Sequence, residues 1–240
     1  MTITQKIQKQ ISKLADGATF KYEQLGIEPQ EYSAAAKALE RFVNKGVIKR
    51  ISIGVFYKPK QTVFGELKPN EEEILKPYLF EQGKRIAYIT GTSLYNRMGL
   101  TTQIPKKIKI ASRDKRIFIS RGNIKATAVK SYVDVNEKNF YLLEILDALK
   151  DLNKIPDLDK KSAIKILSNI LQNLNIADVK LLIKYSLSYP PRVRALLGAL
   201  LENLNFVIDF SILKKSLNPL SEFNYNIENL LSTAKNWKIQ

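Results

Sequence analysis

The chain has 240 residues, 45% of them hydrophobic, and its 39 Lys and Arg against 23 Asp and Glu give a formal net charge of +16. That length holds one large domain or two to three small ones, and the excess charge favours a polyanionic partner, nucleic acid before an acidic protein or an anionic membrane surface. Cysteine and histidine are both absent, which excludes disulfides, Cys/His zinc sites, cysteine nucleophiles and any relay through an imidazole.

Ile3, Ile7, Ile11 and Leu14 recur at helical spacing, and Asp16-Gly17 marks a stop. "FKYEQLG" is long enough for one brief helix ending at Gly26. Pro29 suits the first turn of the next, which runs to Asn44 with Tyr32, Ala35, Ala36, Leu39, Phe42 and Val43 on one face. Gln30, Ser33, Lys37, Arg41 and Asn44 fall on the other face, and Gly46 is placed to end the helix in a left-handed conformation. "VIKRISIGVFYKPK" then reads as a basic hairpin turning at Ser52–Gly54. Helices joined by tight turns and followed by a basic hairpin predict a winged helix-turn-helix over residues 1–60. In such a module Lys37 and Arg41, with Gln30 and Ser33, face base edges or phosphates, and Lys49, Arg50 and Lys58 contact the flanking backbone.

Charge is unevenly spread. Residues 1–60 hold eleven cations and five carboxylates, residues 84–130 hold twelve and one, and residues 131–240 are nearly balanced at fourteen and twelve. An acidic stretch, "GELKPNEEE", separates the first two blocks, so residues 61–84 read as a linker with a connecting helix. Beyond it, "RIAYIT", "KKIKIAS", "KRIFIS" and "NIKATAVKSYV" predict strands, and "SLYNRM" a short helix capped by Thr92 or Ser93. In "KIKI", Ile108 and Ile110 share one face, Lys107 and Lys109 the other. Lys106, Lys107, Lys109, Arg113, Lys115 and Arg116 form a second candidate surface for phosphate or another partner. Four Leu/Ile-rich helices follow from Phe140 to Leu204. Arg192 and Arg194 sit in the first turn of the last, where cations are unfavourable, and Gly198 is small enough for close helix approach. The expected class is therefore α+β: a winged helix, then residues 85–240 with a strand-rich basic part (85–135) and a helical part (136–240).

No phosphate-binding glycine loop or dinucleotide fingerprint occurs, and no carboxylate pair, Ser or Lys stands in a catalytic arrangement. Asp157 and Asp159 read as a loop leading into a helix. The expectation is a non-enzymatic protein without cofactor, metal site or catalytic residue. The opening "MTITQKIQKQ" lacks a secretory apolar core and no apolar run reaches membrane-spanning length, so a soluble cytoplasmic protein with no membrane partner is expected.

"YITGTSLYNRMGLTTQIP" (Tyr88–Pro105), preceded by "SAAAKALERFVNKGVIKRISIGVFY" and followed by "PPRVRALLGALLENL", resembles the AbiEi-type antitoxins of type IV toxin–antitoxin and abortive-infection modules. The resemblance implies an N-terminal winged helix binding inverted repeats in the module's own promoter, as double-stranded DNA. It also implies a C-terminal domain that counters a nucleotidyltransferase-like toxin, functionally, with or without a stable complex. The family's DNA-contacting positions would fall on Lys37, Arg41, Lys49 and Arg50, with Lys107, Lys109 and Arg113 as counterparts in the second domain. The long charge-balanced helical tail departs from commoner members. An RNA-binding or toxin-docking adaptor remains the alternative reading, and an enzyme that modifies the toxin is a third.

Overall fold

The computed structural model describes residues 1–63, 65–67, 71–113, 117–121 and 124–240. Its class is mixed α+β. The chain divides into two units, one of residues 1–85 with 118–125 and one of residues 86–117 with 126–240.

In the first unit Ile3–Lys13 forms α1, begun by a reciprocal cap in which Thr2 and Gln5 exchange side-chain and backbone hydrogen bonds. Thr19–Lys21 (β1) follows, a strand the helical periodicity does not announce, and the expected brief helix is a single 3-10 turn over Tyr22–Leu25. Another such turn, Pro29–Glu31, leads into α2 (Tyr32–Asn44). The buried stripe of α2 is Ala35, Ala38, Leu39 and Phe42; Ala36, expected inside, is exposed. Gly46, at φ +72°, and Val47 return their amides to the carbonyls of Val43 and Phe42, which closes the helix.

Lys49–Ser52 (β2) and Val55–Tyr57 (β3) make the hairpin, and β3 is central in an antiparallel sheet of order β1-β3-β2. Phe20 pairs with Phe56 across β1 and β3, their rings 5.8 Å apart. With Ile7, Ile11, Leu25, Ile48 and the buried side of α2 they form the core. The stretch expected as a linker is folded onto this sheet. Lys60–Thr62 (β4) pairs with Gly65–Leu67 (β5), Glu71–Leu79 forms α3, and Phe80–Glu81 (β6) pairs with Lys84–Arg85 (β7). The Thr19 hydroxyl donates to the Glu73 carbonyl at 2.6 Å, Tyr78 and Ser52 share a hydrogen bond, and Ile74 and Tyr78 pack on Ile51, Val55 and Tyr57.

The second unit begins with Ala87–Thr90 (β8) and Thr92–Arg97 (α4). Gly91, not Thr92 or Ser93, is the capping residue of α4, at φ +70° and with no side-chain cap. Ile108–Ser112 (β9) and, after Phe118–Arg121 (β10) of the first unit, Ile124–Lys130 (β11) follow; β9 runs antiparallel to β8 and parallel to β11. The helices are Phe140–Asp151 (α5), Lys160–Gln172 (α6), Ile176–Ser186 (α7), Pro191–Asn203 (α8) and the short Ser211–Lys215 (α9). Helix α5 is buried along most of its length and packs on β8, α7 and α8. Among the described residues no helix is long and apolar enough to cross a membrane.

Among the described residues one carboxylate is buried in this core. Asp147 of α5 is 2% exposed. Tyr88 and Thr90 donate to its Oδ2 at 2.9 and 2.7 Å, and Lys150 donates to Oδ1 at 2.6 Å. A buried carboxylate is tolerable only with its acceptor sites filled this way. Tyr95 donates to Asp151 one turn further along α5.

Gly198 serves a different neighbour from the one its place in a helix suggests. A Cβ there would stand 2.2 Å from the ring of Trp237, which lies flat on α8 and donates from its indole N–H to Glu202. Gly198→Ala must therefore displace the one tryptophan of the chain. The expected loss is about 1–3 kcal/mol in urea unfolding, with a red-shifted tryptophan emission in the folded state. Unchanged stability and emission would show that the ring has room to move.

Burial, and after it the charge of Asp147 or Asp151, pushes the hydroxyls of Tyr88, Tyr95 and Tyr189 far above the usual phenol range. A raised folded value means that the stabilisation is complete below the unfolded phenol value, about 10, and declines as pH rises beyond it. The second unit should unfold cooperatively in alkali, its last tyrosinate absorbance appearing together with the loss of native Trp237 emission. Full tyrosinate absorbance with native emission intact would contradict that coupling.

Candidate nucleic-acid interface

The same packing that buries Ala35, Ala38, Leu39 and Phe42 turns Ser33, Ala34, Ala36, Lys37, Glu40, Arg41 and Asn44 outward. At the start of this side the residues are small, so a ligand can approach the backbone there; the cations stand further along. Arg41 donates from Nε to the Lys37 carbonyl at 3.2 Å, which draws its side chain back towards Lys37. Gln30 is exposed in the preceding 3-10 turn. Among the described residues no carboxylate comes within ion-pair distance of Lys37, Arg41 or Arg50. Glu40 is the one acidic residue of α2.

The hairpin stands beside α2 across a notch of about 240 Å³, lined from α2 by Tyr32, Ala36 and Leu39 and from the hairpin by Arg50, Ile53, Gly54 and Phe56. Tyr22 completes it and meets Tyr32 edge to face, centroids 5.4 Å apart. Arg50 is exposed, its guanidinium 5.5 Å from the centre of the Phe56 ring. Structure thus brings Ser33, Lys37 and Arg41 onto one side of α2, leaves Gln30 exposed in the turn before it, and sets Arg50 across the notch.

It does not leave the other expected cations free. Lys49 pairs with Glu66 of β5, which also accepts from the Tyr57 hydroxyl at 2.9 Å. Lys58 lies 2.9 Å from both Asp16 Oδ1 and the Leu14 carbonyl. Both charges are compensated within the first unit, so they add little to a phosphate site. In the second unit Lys106, Lys107 and Lys109 are exposed at and before β9, and the stem of Lys109 lies over Gly91. Arg113 is a brace: it donates to the carbonyls of Ser131 and Tyr132 at 3.3 and 3.1 Å and lies 3.6 Å from Asp134. Lys115 and Arg116 lie outside the described residues. Arg194 is likewise turned inward, donating to the Ser216 carbonyl at 3.1 Å.

Sequence reasoning overlooked Tyr22 and Ile53. Ile53 is 96% exposed at the apex of the hairpin, and its only sequence signal is an apolar residue immediately before a turn glycine.

A family described as "Family of unknown function (DUF6088)" matches residues 6–179, and the chain belongs to it. No curated protein matches.

Because Lys58 is spoken for by Asp16 and Leu14, Lys58→Ala should loosen the first unit and not its ligand binding. The expected loss is up to about 1 kcal/mol, read as faster hydrogen exchange at the amides of Gly17 and Lys58, which bond across to the Lys58 and Ala18 carbonyls. A reduced salt dependence of nucleic-acid binding with unchanged exchange would mean that Lys58 leaves Asp16 for a phosphate.

Proposed function

We propose that this member of the DUF6088 family is a duplex-DNA-binding repressor of its own promoter and the antitoxin of a two-gene module of the AbiEi type. Residues 1–60 are then a winged helix-turn-helix, with α2 as the recognition helix and β2–β3 as the wing. One observation carries the DNA-binding part: the outward side of α2 joins small residues, Ser33, Ala34 and Ala36, to two cations without acidic partners among the described residues, Lys37 and Arg41. A helix with side chains is about 10–12 Å across and the major groove about 12 Å wide, so such a side enters the groove with its cations at base edges or phosphates. Arg50, across the notch, falls where the neighbouring strand would pass.

The antitoxin part is supported by the resemblance of Tyr88–Pro105 to AbiEi-type proteins. Several polar residues of that stretch serve internal bonds. Thr90 bonds to Asp147, Asn96 donates to the carbonyls of Thr101 and Gln103 at 3.3 Å, and Gln103 donates to Asp157 at 2.6 Å. In this reading the motif builds the scaffold of the second unit, and the surface that counters the toxin lies elsewhere on it.

The test is titration of the full chain with its own upstream duplex and with a scrambled one, across a range of salt. Lys37→Ala and Arg41→Ala should each weaken the specific complex by about 1–3 kcal/mol where the side chain reads a base. Each should lower the salt slope by about 0.9 where it neutralises a phosphate. Equal losses on both duplexes would restrict α2 to phosphate contact, and no loss on either would remove it from the interface.

A further inference from the structure

We infer that Ile53 is an apolar wedge, inserted between base pairs from the minor groove when the first unit engages duplex DNA, so that binding unstacks one base step and bends the duplex. This deepens the DNA-binding reading above and rests on it. The observations concern how Ile53 is held. It projects from the apex of β2–β3 at 96% exposure, though it forms one lip of an apolar notch. What keeps it out is the turn. Gly54 takes φ +74°, and a Cβ on it would stand 3.4 Å from the Tyr22 ring. The Gly54 carbonyl accepts from the Tyr22 amide at 3.3 Å. Ser52, on the other flank, is hydrogen-bonded to Tyr78 of α3. The apex is therefore fastened from beneath on both sides, and its apolar side chain is held out in water.

The charge around it selects the partner. Lys49, on the same hairpin, is neutralised by Glu66, while Arg50 has no acidic partner among the described residues and lies over Phe56 at the notch. A rigid apolar tip with an uncompensated arginine behind it suits a polyanion with an apolar interior. Duplex DNA has that chemistry: phosphates outside, stacked bases within. Architectural minor-groove proteins combine the same two elements, a cation for the groove wall and an apolar side chain between base steps. The site it selects is a base step that unstacks easily, most readily a pyrimidine–purine step.

The experiment selects duplexes of about 30 base pairs from a randomised pool with the full chain. It then remakes the best binder with 2-aminopurine at each successive position, since that base brightens when it loses its stacking partners. The original protein should brighten one step and shorten the end-to-end distance measured by energy transfer. Ile53→Ala, a change at an exposed position, should still bind, within about fiftyfold of the original affinity, but leave every step dark and the duplex straight. Ile53→Phe should restore the signal. Binding by the original protein with no bright step, or equal brightness with Ile53→Ala, overturns the wedge and leaves DNA binding intact. Failure to enrich any duplex overturns both.

Discussion

Burial of one side of α2 is the constraint on which the rest of the first unit depends. Ala35, Ala38, Leu39 and Phe42 leave water by packing in one core with Ile7, Ile11, Phe20, Leu25, Ile27, Ile48 and Phe56. Once they do, the azimuth of every other residue on the helix is settled. Ser33, Lys37 and Arg41 are outward by consequence, with no local preference of their own. The central position of β3 is tied to the same packing through Phe56, so the hairpin apex is placed relative to α2 by the core and not by the short turn that carries it.

The basic character of the protein is less available than its formal charge suggests. Lys6 pairs with Glu31, whose carboxyl is held below its usual range first by the Glu28 amide and then by Lys6. Lys49, Lys58 and Arg113 are likewise engaged with carboxylates or carbonyls. Lys37, Arg41 and Arg50 keep no carboxylate partner among the described residues, and neither do the exposed Lys9 and Lys13 of α1, so the free charge of the first unit is shared between α1, α2 and the hairpin.

Much of this architecture is legible in the sequence where a single element decides its own form. The four long helices of the second unit carry unbroken apolar periodicity, and α5 through α8 fall where that periodicity puts them. The alternation at Lys107–Ile110 likewise separates two buried isoleucines from two exposed lysines. What escapes is tertiary. Three residues of β1 become a strand only because Phe20 lies against Phe56. Ala36 and Ala38 are indistinguishable by composition, and only the packing of α1 on α2 makes one exposed and the other buried. Lys58 reads as a free cation because Asp16 is remote in the chain. Asp147 lies in an apolar helix with no sequence sign that two hydroxyls from β8 will meet it. The stretch after Leu204 has little periodicity to read, since Trp237 orders it by docking on α8.

That docking sets an order of events during synthesis. Trp237 and Ile239 belong to the core of the second unit, and the backbone of Phe223 bonds to that of Lys238 and Gln240. This core cannot close until those residues have left the ribosome. The core that fixes α2 uses residues no later than Phe56. A growing chain therefore presents its helix and hairpin in finished form while α8 still waits for the ring that will cover Gly198.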